Sequence, residues 1–207
     1  MKSPYQNKPS STWPDITDNL IKEHPLDVKQ IVDVVHKSWS GIFASKIGGH
    51  LQIGRNIFPK PQIMGFFLHE LIPLNLEKQH PEYWRRELIA EDKDIVCTVD
   101  PKYSIEIKTS SDKKHIFGNR SYAEGSNLST GKKDKSGYYL CVNFEKFEND
   151  AIINAIKLSQ ILTPRIVLIR FGWIDSSDWI GQKASTGQQA RLSKEVYDGK
   201  MQILFQE

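Results

Sequence analysis

DIVCTVDPKYSIEIKTS, residues 94–110, is the stretch whose reading decides the fold. Both DIVCTV (94–99) and SIEIKTS (104–110) are rich in β-formers, while Asp100-Pro101-Lys102-Tyr103 between them has turn chemistry. The pattern predicts an antiparallel hairpin with its turn near Pro101, which sets Asp94 opposite Lys108. Side chains alternate along a strand, so Glu106 and Lys108 share one face while Ile107 points into the core. Cross-strand neighbours stand about 5 Å apart. Asp94, Glu106 and Lys108 are thereby directed toward one point.

On the N-terminal side, Val28, Ile31, Val35, Trp39 and Ile42 recur at three- and four-residue steps, which predicts an amphipathic helix capped by Asp27 and closed by Gly48-Gly49. The apolar segment 63–72 reads as a short, largely buried helix carrying Glu70 and ended by Pro73. On the C-terminal side, GYYLCVNFE and RIVLIRFGWI read as two further strands, separated by a helix over 151–162. This order predicts an α/β fold, a mixed central β-sheet flanked by helices. Residues 1–15 are rich in Pro, Ser, Asn and Lys and poor in apolar groups; they are expected to form a flexible arm, mobile or draped on a partner. Residues 16–207 are expected to form a single domain.

Composition narrows the function classes. The 207 residues are 39% hydrophobic and 26% charged, and no apolar run approaches the roughly 20 residues of a membrane span or the core of a signal peptide. A cytoplasmic location with no membrane partner is the expectation. Cys97 and Cys141 sit in apolar strands without zinc-site spacing and read as buried, reduced thiols; the six histidines show no paired ligand spacing. Trp39, Trp84, Phe171, Trp173 and Trp179 stand in apolar settings that favour core packing over base stacking. Neither a Walker pattern nor a Rossmann fingerprint is present. The net charge of +3 permits a nucleic-acid partner, and its distribution favours one. Residues 111–137 hold Lys113, Lys114, Arg120, Lys132, Lys133 and Lys135 against Asp112, Glu124 and Asp134, with no hydrophobic periodicity, and read as a basic loop.

Two carboxylates as close as Asp94 and Glu106 repel unless a cation lies between them, and hard oxygen ligands suit Mg²⁺, with Mn²⁺ able to substitute. Such a metal polarises a phosphate oxygen and acidifies water, while the Lys108 ammonium orients that water or stabilises charge on phosphorus. Phosphodiester hydrolysis is the chemistry these parts suit. Asp100 is the rival for the first acid, but it sits in the turn, too far round the hairpin to share a metal with Glu106. An exposed strand face with an incidental salt bridge is the alternative for the triplet as a whole.

Asp94, eleven intervening residues and then Glu106-Ile107-Lys108 resemble the signature of the PD-(D/E)XK nucleases, although Lys93 stands where the signature has proline. LIRFGWIDSSDWIGQKASTGQQARL, residues 168–192, is similar to the closing segment of ScaI-type restriction enzymes. Together the resemblance spans residues 62–192. It implies a restriction-endonuclease-like fold, metal held by Asp94 and Glu106, and Lys108 at the attacking water. Glu70 resembles the extra acid some members carry on the preceding helix; the alternative is a solvent-reaching carboxylate. The resemblance further implies a type II endonuclease that acts on palindromic double-stranded DNA as a homodimer, with a companion DNA methyltransferase.

Residues 175–192 form the candidate recognition segment: Gln182, Lys183, Ser185, Thr186, Gln188, Gln189 and Arg191 supply donors suited to adenine and guanine edges. A polar surface loop is the alternative. In the basic loop, Lys113, Lys114, Asn119 and Arg120 suit phosphate or groove contacts. A repair or recombination nuclease of the same fold, a non-catalytic DNA-binding module and an RNA-processing protein are the competing readings.

Overall fold

In a computed structural model of the chain, residues 2–122, 134–181 and 189–207 are described. The elements run α1 (Trp13–Glu23), α2 (Val28–Ala44), β1 (Lys46–Ile47), β2 (Leu51–Gln52), α3 (Pro61–Gln79), β3 (Trp84–Arg86), β4 (Ile95–Cys97), β5 (Ile105–Ser110) and β6 (Phe117–Asn119). They continue with β7 (Gly137–Phe144), α4 (Asn149–Lys157), β8 (Ile166–Ile174), β9 (Ile180–Gly181), β10 (Gln189–Arg191), α5 (Lys194–Lys200) and β11 (Met201–Gln206). A six-stranded mixed sheet is ordered β11-β8-β7-β5-β4-β3, with only β5 and β7 parallel. This is the mixed α/β architecture expected from the sequence.

Each face of the sheet has its own core. Ile105, Ile107, Leu140 and Val142 pack with Ile31 and Val35 of α2 and Leu68 and Ile72 of α3. On the other face Tyr139 and Cys141 join Ile116, Trp179, Ala190 and Leu192, beneath a second, three-stranded sheet ordered β6-β10-β9. Ile105 and Ile107 are fully buried, each contributing about 1.5–3 kcal/mol. That burial fixes which way β5 faces, and so sends Glu106 and Lys108 to the side of the second sheet.

Several expectations are corrected. Asp27 does cap α2: its side chain accepts from the amide of Gln30, and the Gln30 side chain accepts from the amide of Asp27. The helix nevertheless stops at Ala44, and Gly48 and Gly49, with φ of 61° and 80°, turn the small hairpin β1–β2 instead. α3 runs straight through Pro73 to Gln79. A proline inside a helix costs about 3 kcal/mol, and burial of Leu68, Ile72 and Leu76 outweighs it at about 1.5–3 kcal/mol apiece. The helix expected over 151–162 is α4, shorter and shifted toward the N-terminus.

Some of the supposed basic loop is ordered strand. Ile116 is fully buried and β6 pairs with β10, while residues 123–133 lie outside the described residues. The N-terminal arm is docked rather than loose. Tyr5 is buried and shares a hydrogen bond with Thr17 (2.8 Å), and Ser3 Oγ donates to Asp175 Oδ2 (2.8 Å). Composition could not foresee this, because one aromatic ring and one hydroxyl with buried partners suffice to hold the segment. Cys97 and Cys141 are buried and free, and all five aromatic residues assigned to packing are buried.

Candidate active site

The hairpin is tighter than its sequence suggests. β4 meets β5 at the single pair Ile95↔Ile105, a register that carries Asp94 beside Glu106 and not opposite Lys108. The turn explains the two-residue shift. Asp100 accepts from the amide of Lys102 (3.0 Å), Pro101–Tyr103 winds into a 3₁₀ turn, and Ser104 Oγ takes the place of a backbone rung by accepting from the amide of Cys97 (3.1 Å). Beyond Ile95 a side chain takes over the pairing: Asp94 Oδ2 accepts the amide of Ile107 at 2.5 Å. That bond anchors the Asp94 carboxylate to the strand that carries Glu106 and Lys108.

On β5, Glu106 and Lys108 stand beside Tyr139 and Cys141 of β7. Lys108 Nζ donates to Glu106 Oε1 (2.7 Å) and to the Ile107 carbonyl (3.2 Å). Tyr122, in the 3₁₀ turn Arg120–Tyr122, donates its hydroxyl to the same Glu106 oxygen (2.8 Å), and Lys108 Nζ lies 4.8 Å from the centre of its ring. Burial works against the charge on Lys108, but the Glu106 carboxylate, aided by Tyr122 and Asp94, outweighs it and holds the pKa above the ordinary lysine value. Lys108 is therefore an ammonium at neutral pH. Burial pushes the Tyr122 phenol up to about 12, so it too stays protonated and donates.

Asp94 also borders a cleft of about 640 Å³ between α3 and the hairpin, lined with His69, Glu70, Arg86 and Thr109. Glu70 is exposed on α3 and shares this cleft with Asp94. His69 Nδ1 lies 3.6 Å from Asp94 Oδ2, an ion pair whenever the imidazole is protonated. The structure thus brings Asp94, Glu106 and Lys108 together through β5 and sets Glu70 on the α3 side of Asp94.

Among the described residues, no group of three or more His, Cys, Asp or Glu side chains is arranged to hold a metal. The two carboxylates still suit Mg²⁺, which binds through one or two carboxylates, keeps several waters and takes its remaining ligands from substrate phosphates. A softer metal requiring a closed nitrogen or sulfur cage does not fit this donor set.

Lys113, Lys114 and Asn119 are exposed. The first two flank a hollow shared with Glu145, Arg165 and Arg170, and Asn143, buried on β7, holds their loop by donating to the carbonyls of Asp112 (2.7 Å) and His115 (2.9 Å). Asn119 pairs with Gln189 across β6–β10, and Arg120 opens the 3₁₀ turn that ends in Tyr122. Gln189 and Arg191 are exposed on β10, on either side of buried Ala190. Gln182, Lys183, Ser185, Thr186 and Gln188 lie outside the described residues.

His69 and Tyr122 went unrecognised in the sequence. His69 stands beside Glu70 without ligand spacing, and Tyr122 falls in a stretch without periodicity. Nothing local marks either one; only tertiary contacts bring them to the site.

The model of a family described as ScaI restriction endonuclease matches residues 3–205. The type II restriction enzyme ScaI of Streptomyces caespitosus is 47% identical over 190 residues, covering 92% of this chain and 79% of that enzyme. No solved structure matches the chain.

Proposed function

Because this chain belongs to the ScaI restriction endonuclease family, we propose that it hydrolyses phosphodiester bonds of double-stranded DNA at a short palindromic site, with Mg²⁺ as cofactor and Mn²⁺ able to substitute. The observation that carries the reading is the Glu106–Lys108–Tyr122 cluster, tied to Asp94 through the amide of Ile107. Asp94 and Glu106 would hold the cation, which when bound would supply an acidified water and a polarised phosphate oxygen.

The chain's own groups do the rest. With two of its three N–H groups on Glu106 and the Ile107 carbonyl, the Lys108 ammonium has one left to orient the attacking water or to stabilise charge accumulating on the phosphate. Glu106 and the Ile107 carbonyl keep its ammonium in place. Glu70, across the cleft from the hairpin, assists by accepting from water at Asp94. Lys113, Lys114, Asn119 and Arg120 contact the DNA backbone, and Gln182, Lys183, Ser185, Thr186, Gln188, Gln189 and Arg191 read bases.

Residues 16–207 act as a single nuclease domain, with 111–137 and 175–192 its DNA-facing segments. A palindromic site calls for a symmetric protein, so the chain acts as a homodimer with one strand cut by each subunit. A companion DNA methyltransferase protects host sites, and both proteins work in the cytoplasm. Among the described residues no helix is long and apolar enough to cross a membrane.

Incubation with plasmid and phage DNA, in Mg²⁺ and in EDTA, tests the proposal. Discrete Mg²⁺-dependent fragments with identical ends are expected. A smear would point instead to a repair or recombination nuclease, and intact DNA to a binding module. Asp94→Ala and Lys108→Ala are expected to abolish cutting while leaving site binding largely intact; unchanged cleavage by either would remove these residues from the site.

A further inference from the structure

Tyr122 belongs to two structures at once. Its hydroxyl donates to Glu106 Oε1 at 2.8 Å, and its ring lies 4.8 Å from Lys108 Nζ. The same ring meets Trp179 edge-on, with centroids 4.9 Å apart. Trp179 is buried and leads directly into β9. Gly118 of β6 closes the stack: a Cβ there would lie 3.0 Å from Tyr122 Cγ and 3.1 Å from Trp179 Cζ3, tighter than ordinary contact, so both rings would have to give way slightly. Lys135 adds a second cation, 5.2 Å from the ring centre, and bonds the carbonyl of Ser121.

The three-stranded sheet β6-β10-β9 bears Asn119, Gln189 and Arg191, and its β9 and β10 flank residues 182–188. Glu106 and Lys108 belong to the other sheet. Tyr122 bridges them with a rigid aromatic group whose polar end touches the chemistry and whose apolar face touches the second sheet. Through these contacts a shift of that sheet would move Trp179 and Gly118, and with them the hydroxyl that holds Glu106.

We propose that Tyr122 is a positioning residue that couples DNA recognition by the β6-β10-β9 sheet to cleavage, its hydroxyl holding Glu106 in place and losing that hold when a wrong base pair displaces the sheet. The inference rests on the reading above that Glu106 and Lys108 carry the reaction and that the second sheet faces the bases. It adds a route by which a wrong base slows the chemical step and not only binding.

Tyr122→Phe is the informative variant, because it keeps the ring, its packing on Trp179 and Gly118 and its contact with Lys108, and removes only the hydroxyl. Single-turnover cleavage is measured at the cognate site and at sites with one base pair changed. Site binding in EDTA and the thermal midpoint are measured alongside to show that fold and DNA-binding surface are intact. Loss of one hydrogen bond to a charged group is expected to lower the maximal cleavage rate at the cognate site about ten- to a hundred-fold, with half-saturating DNA and metal-free binding unchanged. At altered sites, where the sheet is not seated, the loss is smaller, so discrimination in the chemical step shrinks.

Equal losses at cognate and altered sites would overturn the coupling and leave a merely structural tyrosine. Native rates at both kinds of site would overturn it outright. Glu106→Gln separates the two ideas: normal cleavage by Glu106→Gln defeats the active-site assignment, whereas an inactive Glu106→Gln beside a native-like Tyr122→Phe defeats the coupling alone.

Discussion

Lowering the pH from 7.5 to 4.5 should cost this protein stability through one buried imidazole. His24 is only 5% exposed, enclosed by Trp84, Tyr103, Tyr138 and Phe171 with ring centroids 4.5–5.8 Å away. Nε2 faces the Tyr103 carbonyl (3.1 Å), which can only accept, while Nδ1 lies within reach of both the amide (3.1 Å) and the carbonyl (3.3 Å) of Leu26, so the neutral ring is fully partnered. Burial pulls the pKa from 6.5 to about 4, against the pull of the backbone bonds to Tyr103 and Leu26. The unfolded chain takes up the proton below pH 6.5 and the folded chain only near 4, so stability is lost as pH falls through that window and no further below it. The interval corresponds to about 3 kcal/mol, most of which is lost by pH 4.5. Urea unfolding at pH 7.5 and 4.5, at one protein concentration, gives the change for the native chain and for His24→Gln, which cannot titrate. The native chain should lose about 2–3 kcal/mol more than the variant; equal losses would refute the buried neutral histidine.

Three further outcomes follow from packing and charge. Lys200, 3% exposed, donates to Asp175 and Asp178 at 2.8 Å and lies 4.5 Å from the rings of Tyr5 and Trp13. Lys200→Ala leaves the buried Asp175 and half-buried Asp178 carboxylates without their cation and should destabilise by about 3–5 kcal/mol, with faster proteolysis of the N-terminal segment; a native denaturation midpoint would contradict this. A Cβ on Gly172 would lie 2.0 Å from the backbone oxygen of Lys200 across the β8–β11 pair. Gly172→Ala must therefore push β8 and β11 apart, costing about 1–3 kcal/mol or more in urea unfolding; an unchanged midpoint would show that the strands yield freely there. His69 is half-buried and 3.6 Å from Asp94, a contact contributing at most about 1 kcal/mol. His69→Ala should slow cleavage less than about fivefold, and a loss as deep as that of Lys108→Ala would promote His69 to an essential role.

Some of the site was legible because its information is local. Glu106 and Lys108 two residues apart on a strand, with Ile107 between them, declare their common face through period-two alternation alone. The register was not legible, since it turned on how Pro101–Tyr103 winds and on a serine hydroxyl replacing a rung, two choices that the hydrophobic pattern does not record. Helix α3 shows the same limit. Local preference at Pro73 said stop, and burial of Ile72 and Leu76 beneath the sheet overruled it.

By itself, the amino-acid sequence determined the α/β class and the strand that bears the Glu106-Ile107-Lys108 triplet, because alternation, turn chemistry and residue type act over a few neighbouring positions. Only the tertiary structure decided that Asp94 clamps the amide of Ile107, that His69 reaches Asp94, and that Tyr122 ties Glu106 to the second sheet through Trp179. Each of those contacts joins residues 13 or more positions apart along the chain. They exist only once burial of the two cores has closed the chain around β5, and no periodicity along the chain encodes them.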